Sequence, residues 1–222
     1  MPTRAARIVV LCTLPLCAAA VAACGKSPTT VTATNPDSLT SVAGLTGYMY
    51  LNPLQQFGFF GNIEAQIGDV DAMVPGETLR GLVTFDLNQL PKSATVTAAT
   101  IQMDQCLVEG APYASLGQVV LDHLVPKLVQ DSATYDTAAI ASDVATIAAD
   151  TSLGLKTADV TSSVTYDRAH SDTLSQFRMR FNGADGNNDG VTDLAVFRAD
   201  SGVTYLCPFV SGHQPLLIVT YH

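Results

Sequence analysis

The sequence lacks the short motifs that mark most hydrolase active sites. Its 222 residues contain no G-x-S-x-G nucleophile elbow and no H-E-x-x-H metal motif, and no histidine stands at zinc-ligand spacing from another histidine or a cysteine. Asp122 and His123 are adjacent, but neighbours on a strand point to opposite faces and cannot form a catalytic dyad. The sequence therefore predicts a protein that is not an enzyme, although a triad assembled from distant loops would leave no motif.

Basic residues are also scarce. The chain has 11 Lys and Arg residues against 20 Asp and Glu residues, and its formal net charge is −9. Arg4 and Arg7 belong to a predicted signal peptide, so the mature chain keeps 9 basic residues against 20 acidic ones, a net charge of −11. Such a surface repels nucleic acid phosphates and anionic lipid headgroups. The composition predicts that neither is a partner, whereas acidic patches suit divalent cations.

Tryptophan is absent, which counts against strong carbohydrate affinity because its large ring is the best platform for a sugar. Other aromatic residues cluster in the stretch GYMYLNPLQQFGFFG. Tyr48 and Tyr50 share one face of a predicted strand, whereas Phe57, Phe59 and Phe60 lie near glycines in a predicted exposed loop. Two uses stay open for these rings: packing in a core or an interface, and a ligand-binding platform for sugars.

One uncharged apolar run, residues 8–23, follows a short basic segment at the N-terminus. It is too short, and too closely followed by polar residues, for a membrane-spanning helix, and it is typical of a secretory signal peptide. The run ends in Val21-Ala22-Ala23-Cys24, which resembles the bacterial lipobox. The resemblance implies cleavage after residue 23 and lipidation of Cys24. The alternative is an ordinary signal peptide cut after an A-x-A site, with Cys24 incidental.

Lipidation would anchor the protein stably to a membrane. Two or three acyl chains bind a membrane stably, whereas a single acyl chain binds it weakly and reversibly. Gly25, rather than an aspartate, follows Cys24, and this implies the outer membrane if the cell has one. Residues 24–40 are rich in Ser, Thr and Pro, which predicts a lipidated cysteine followed by a disordered tether. Residues 41–222 show neither a second linker nor an internal repeat and are predicted to form one domain.

Cysteine is limited to five residues. Cys12 and Cys17 would leave with the signal peptide and Cys24 would carry lipid, so Cys106 and Cys207 remain. An even pair in an oxidising compartment predicts a disulfide between them. Two buried free thiols are the alternative.

Alternation of apolar and polar residues is the strongest signal of local structure. In QFRMRF, Phe177, Met179 and Phe181 alternate with polar residues, and AATIQMD repeats the pattern. This is typical of antiparallel strands with one buried face. Short strands separated by Gly, Pro and Asn clusters favour an all-β sandwich. Further strands are predicted over residues 46–52, 79–86, 118–125, 193–198 and 215–221.

Helical signals are few. Ile140, Val144 and Ile147 stand at helical spacing, and residues 161–168 are long enough for two turns. Both segments are predicted to be helices.

Several motifs resemble those of DNRLRE-type domains. They are RGLVTFDLNQLPKSATVTAATIQM, then LKTADVTSSV followed by SQFRMRF, and the closing PLLIVTYH. Together they span most of residues 79–222. The resemblance implies a jelly-roll-like antiparallel β-sandwich of a bacterial secreted or surface protein, and in some members a carbohydrate-binding module.

The stretch NGADGNNDGVTD concentrates oxygen-bearing side chains. The spacing matches positions 1, 3, 5 and 9 of an EF-hand-like loop, which are occupied by Asp185, Asn187, Asp189 and Asp193. At position 7, the carbonyl oxygen of Val191 would be a further calcium ligand. Position 12 is a valine rather than the bidentate glutamate of an EF-hand, so the prediction is a shorter, structural calcium loop. The alternative is a hairpin turn, because Asn, Asp and Gly tolerate left-handed conformations and bind their own backbone.

These observations support three functional hypotheses. The first is a membrane-anchored extracytoplasmic lipoprotein with a non-catalytic binding sandwich, whose ligand is a polysaccharide. The second is a structural lipoprotein of the cell envelope with a protein partner, and the third is an extracytoplasmic hydrolase or lyase. An exposed Tyr/Phe strip in a groove would favour the first, and a flat apolar patch the second. A cleft with converging carboxylates of perturbed pKa would favour the third.

Overall fold

A computed structural model describes residues 35–199, 205–208 and 210–222. The predicted signal peptide, the predicted lipidation site Cys24 and residues 25–34 of the predicted tether lie outside them. The strands are β1 (Asn35–Thr40), β2 (Gly47–Leu51), β3 (Phe57–Gly61), β4 (Ala65–Val70), β5 (Thr78–Asp86), β6 (Val96–Glu109), β7 (Val119–Leu124), β8 (Ala141–Ala148), β9 (Gly154–Asp159), β10 (Leu174–Phe181), β11 (Thr192–Phe197) and β12 (Leu216–Tyr221). The helices are α1 (Pro112–Ser115), α2 (Ser132–Asp136) and α3 (Thr161–Ala169). Within the described residues, no helix is long and apolar enough to cross a membrane.

The strands form a continuous antiparallel sheet that folds over on itself. Their order is β1-β12-β6-β11-β4-β5-β10-β7-β8, while β2 joins β5, β3 joins β2 and β9 joins β6. Side chains from the two ends of this path, β1 and β12 at one end and β10 and β7 at the other, meet in one apolar core. The fold is therefore an antiparallel β-sandwich, which confirms the predicted fold class.

The core confirms the alternation in two strands. Phe177, Met179 and Phe181 of β10 share one cluster of buried side chains with Ile101 and Met103 of β6. Burial of each such side chain contributes about 1.5–3 kcal/mol before the entropic cost of ordering it. Periodicity of two therefore identifies the faces of both strands that point inward.

The polar face of β10 is covered rather than exposed to solvent. Gln176 is fully buried and Arg178 is 6% exposed. Arg178 pairs with the buried Asp122 at 2.8 Å and donates hydrogen bonds to the carbonyl oxygens of Tyr135 and Thr137. The segment between β7 and β8, which includes α2, therefore packs over this side of the sandwich.

Residues 35–40 form strand β1, so the prediction of a disordered tether up to residue 40 is wrong at its C-terminal end. The strand pairs with β12 from Asn35 opposite Tyr221 to Thr40 opposite Leu216. This pairing satisfies backbone hydrogen bonds, and Leu39 is fully buried in the core. The polar composition of the segment could not reveal a partner strand at the far end of the chain.

Two other predictions of local structure are wrong, and one is confirmed. The segment with helical apolar spacing forms strand β8, because pairing with β7 and shifts of register bring Ile147 into the core. Phe57, Phe59 and Phe60 lie in strand β3, paired with β2, rather than in a loop. The helix predicted over residues 161–168 is present as α3.

Candidate functional site

The hairpin of β2 and β3 carries three aromatic side chains on one face. Tyr48 lies directly opposite Phe60, and Tyr50 lies opposite Gly58. The ring of Phe60 contacts both tyrosine rings, with centroid distances of 5.2 Å to Tyr48 and 5.8 Å to Tyr50. Phe60 is 48% exposed and both tyrosines are half-buried. Tyr48, Phe60 and Tyr50 thus form a partly exposed set of rings, which we call the aromatic row.

Glycine at position 58 makes room for one end of the aromatic row. The ring of Tyr50 lies over the backbone of Gly58, where a Cβ atom would lie 2.1 Å from the nearest ring carbon. Such a close approach requires a residue without a side chain. The cross-strand pairing of Tyr50 with a glycine therefore determines where the ring lies.

The other face of the hairpin points into the protein. Met49 is fully buried, and Phe57 and Phe59 pack beside it against a cluster that includes Leu82 and Tyr135. The structure thus divides the five aromatic residues that the sequence predicts as a ligand site. Phe57 and Phe59 pack on that inner face, whereas Tyr48 and Tyr50 pack partly against a different cluster that includes Val70 and Leu79. Of the five rings, Phe60 is the exposed one.

Two adjoining cavities, of about 480 and 380 Å³, lie along the aromatic row. We call the two cavities together the aromatic groove. Both are lined by Tyr48, Phe60, Gln66, Val70 and Met73. Polar side chains complete the lining, namely Asn52, Gln56, Glu77 and Glu109. Ring faces for stacking and polar groups for hydrogen bonding therefore lie next to each other.

One wall of the aromatic groove is held in place at two points. Cys207 forms a disulfide with Cys106 of β6, with Cα atoms 5.9 Å apart, which confirms the predicted pairing. Just before Cys207, Tyr205 and Leu206 donate their backbone N–H groups to the buried carboxylate of Glu64 at 3.1 Å. Tyr205 and Leu206 line the smaller cavity, so the disulfide and Glu64 together position this wall.

The charges around the aromatic groove are negative. Burial, with the nearby carboxylates of Glu64 and Glu77, raises the pKa of Tyr48 to about 12, so its hydroxyl stays protonated and can donate a hydrogen bond. Burial also raises the pKa of Glu77 above its usual value. The described residues that line the groove include no lysine, arginine or histidine. The groove therefore suits neutral or positively charged ligands.

The predicted calcium loop is folded, but protein donors already bind the oxygens of its side chains. Asp185 pairs with Arg80 at 2.5 Å, and Asp189 accepts the backbone N–H of Val191 at 2.8 Å. No group of three or more His, Cys, Asp or Glu residues in the described part of the chain is arranged to hold a metal ion. The geometry is that of a hydrogen-bonded turn. Calcium binding stays a prediction from the sequence alone, since a calcium ion would have to displace these donors.

Asp193 and Asp69 connect this loop to the sandwich. Asp193 accepts hydrogen bonds from the Ala111 N–H and the Ser115 hydroxyl, both at 2.6 Å, and from the Asn187 side-chain amide at 3.2 Å. Asp69, fully buried on β4, accepts the backbone N–H groups of Asn187 and Asp193. Burial raises the pKa of Asp69 although these two hydrogen bonds oppose the shift. The sequence motif missed Asp69, because its place depends on the pairing of β4 with β11.

A separate cavity of about 670 Å³ lies between β8 and α3. His123, 1% exposed, lines it and binds Asp167 through Nε2 at 2.7 Å, while Ser175 donates its hydroxyl to the other oxygen of Asp167 at 2.6 Å. Hydroxyl side chains also line this cavity, namely those of Thr161, Ser162 and Ser163. Sequence reasoning missed the pair, because 44 residues separate His123 from Asp167 and no motif joins them.

No family model matches the chain, and no curated protein matches it in sequence. The resemblance to DNRLRE-type domains therefore rests on its motifs alone and stays a prediction. The aromatic groove and the cavity at His123 are two structural features of the described residues from which a function can be inferred.

Proposed function

We propose that this protein is an extracytoplasmic lipoprotein whose β-sandwich binds a polysaccharide in the aromatic groove without catalysing a reaction. The observation that carries the proposal is the aromatic row, in which Phe60 contacts Tyr48 and Tyr50 and is 48% exposed. The C–H faces of sugar rings stack on flat aromatic rings, which bring a large contact area with few rotatable bonds. Three neighbouring rings offer stacking positions for successive sugar units.

The polar lining of the groove supports the same ligand class. Gln56, Gln66 and Tyr48 bring amide and hydroxyl groups close to the aromatic row, where the hydroxyl groups of a sugar would lie. Met73 is 73% exposed, so the groove is open to solvent. An open groove suits a segment of a polymer better than a small molecule that needs enclosure.

A glycan array with the mature chain tests this function. The wild type should bind a subset of polysaccharides, and Tyr48→Ala should weaken that binding by about tenfold, equivalent to about 1.4 kcal/mol of lost stacking. Tyr166→Ala removes a tyrosine that is 39% exposed outside the groove and should leave binding unchanged. A wild type that binds no glycan contradicts the proposal.

A second candidate function, an extracytoplasmic hydrolase, is favoured by the His123–Asp167 pair. A carboxylate that holds one imidazole nitrogen leaves the other free to act as a general base toward water or a hydroxyl group. A screen of ester and glycoside substrates tests this function. Turnover that disappears in His123→Ala, in a variant that still melts cooperatively, would support a hydrolase, and no turnover by the wild type would count against it.

A protein partner in the cell envelope is favoured by a different surface. Val125, Leu128 and Val129 are 57%, 75% and 77% exposed on the segment after β7. Exposed apolar side chains that lie close together are typical of interaction surfaces. Replacing Leu128 and Val129 with Asp should abolish cross-linking to such a partner in intact cells while glycan binding persists.

A further inference from the structure

We infer that the aromatic groove selects saccharides that carry protonated amines, such as oligomers of glucosamine, over N-acetylated and anionic saccharides. The inference rests on the proposed function and adds the chemical class of the ligand. It is based on two carboxylates that line the groove and have no partner among the described residues, namely Glu77 and Glu109.

Both carboxylates lack a partner within the described residues. Neither Glu77 nor Glu109 takes part in an ion pair or accepts a hydrogen bond through its side chain there. Of the other carboxylates nearby, Glu64 accepts the N–H groups of Tyr205 and Leu206. Asp71 is 3% exposed and accepts the N–H of Gly76 through Oδ1, whereas its buried Oδ2 has no partner within the described residues. Glu77, half-buried, and Glu109, exposed, are the carboxylates of the groove lining to which no described residue donates.

The arginines on the bordering strands are engaged elsewhere. Arg80 of β5 pairs with Asp185 and Asp136, and Arg198, just after β11, pairs with Asp104 at 2.6 Å. No basic residue in the described lining offsets the two glutamates, so the side chains that line the groove carry a net negative charge.

Partial burial makes Glu77 responsive to a cation. Burial raises the pKa of Glu77, and no described residue donates a hydrogen bond to its carboxylate. A ligand ammonium group would restore that missing interaction through a charge-assisted hydrogen bond. The faces of the aromatic rings attract cations as well. An amine-bearing sugar would therefore gain from both parts of the groove.

The same features disfavour the other classes of saccharide. A uronic acid or a sulfated sugar would bring a negative charge close to Glu77 and Glu109, and like charges at short range oppose binding. An N-acetylated sugar would stack on the aromatic row but would leave both carboxylates without a counter-charge. We expect affinity to fall from amine-bearing to N-acetylated to anionic oligomers.

Isothermal titration calorimetry of the mature full chain at low ionic strength tests this order. The ligands are oligomers of glucosamine, N-acetylglucosamine and galacturonic acid of equal length, at a pH that keeps the amine protonated. The glucosamine oligomer should bind about tenfold more tightly than its N-acetylated counterpart, the ratio expected for one charge-assisted hydrogen bond. Added salt should reduce this preference.

Two variants and one control assign the preference to its residues. Glu77→Gln and Glu109→Gln should each reduce the preference for the glucosamine oligomer severalfold, and the double variant should remove it. Asp172→Asn removes the same charge outside the groove and should keep the preference. The inference would be overturned if the wild type bound the glucosamine and N-acetylglucosamine oligomers equally well, or if the double variant kept the preference. Either result would leave the proposal of polysaccharide binding in the groove intact. If none of the three oligomers binds, the inference is overturned. If the wild type binds no glycan on the array either, the proposed function is overturned as well.

Discussion

At the scale of single residues, the aromatic row depends on a glycine across the hairpin. Gly58→Ala would place a Cβ 2.1 Å from the Tyr50 ring, which must then rotate away. We expect the affinity of the variant for the groove ligand to fall severalfold. Its free energy of unfolding should fall by about 1–3 kcal/mol. Gly44→Ala is the matched control, since no atom lies within 4 Å of its Cβ position. Calorimetric titration and thermal melting measure both effects, and an unchanged ligand affinity in Gly58→Ala would contradict the assigned role of Tyr50.

A second prediction at this scale concerns Asp122, which faces away from His123 as the strand pattern requires. Burial alone would raise the pKa of Asp122, but hydrogen bonds from Arg180 and Arg178 lower it overall. Because the folded pKa lies below the unfolded one, this carboxylate stabilises the fold at neutral pH, and the contribution disappears as pH falls through the folded pKa. The free energy of unfolding should therefore fall on acidification below about pH 4.

Asp122→Asn provides the variant for that test. It leaves Arg178 buried without its counter-charge and should lower the free energy of unfolding by about 3–5 kcal/mol at neutral pH. Asp172→Asn should change stability by less than about 0.5 kcal/mol. Urea denaturation across pH measures both. An acid destabilisation as steep in Asp122→Asn as in the wild type would show that another group is responsible.

At the scale of elements, strands were predictable where apolar residues alternate with polar ones, even though both faces of β10 are covered in the structure. Phe177, Met179 and Phe181 alternate with polar residues in β10, and local sequence carries that information. It could not reveal that β8 pairs with β7 or that β1 pairs with β12, because the partner strand decides both structures. The aromatic residues of the groove were visible as a cluster. Glu77, Glu109 and Tyr205 were not, because distant elements bring them to the hairpin.

The acidic loop between β10 and β11 gives a prediction at the scale of one element. Since Asp185 and Asp193 already bind Arg80, Ala111 and Ser115, we expect millimolar calcium to leave the Tm unchanged. Asp193→Ala should lower the free energy of unfolding by about 1–3 kcal/mol, because three donors lose their acceptor. Differential scanning calorimetry measures both. A rise in Tm with calcium that disappears in the Asp185→Ala, Asp189→Ala double variant would instead support the metal site that the sequence predicts.

At the scale of the whole molecule, β1 begins beside the start of β6, whereas the groove lies at the end of β6. Asn35 pairs with Tyr221, which pairs with Val96 at the start of β6, whereas Glu109 of the groove is at the end of the same strand. A strand of 14 residues is on the order of 45 Å long.

The lipid anchor itself is tested by labelling. Palmitate should be incorporated into the wild type and not into Cys24→Ala, because the lipobox resemblance assigns the acyl chains to that thiol. The variant should also move from the membrane fraction to the soluble fraction. If the wild type is unlabelled and found free in the periplasm, the lipoprotein assignment is contradicted. That result would not affect the proposal that the aromatic groove binds a ligand.

The most direct test of the central claim compares two substitutions on one strand. Phe60 and Phe57 both belong to β3, but Phe60 is part of the aromatic row and Phe57 packs against the cluster around Met49. In calorimetric titrations with a glycan that binds the wild type, Phe60→Ala should weaken affinity by about tenfold. Phe57→Ala should retain wild-type affinity even if its Tm falls. Equal losses of affinity in both variants, or none in Phe60→Ala, would contradict a binding site on the aromatic row.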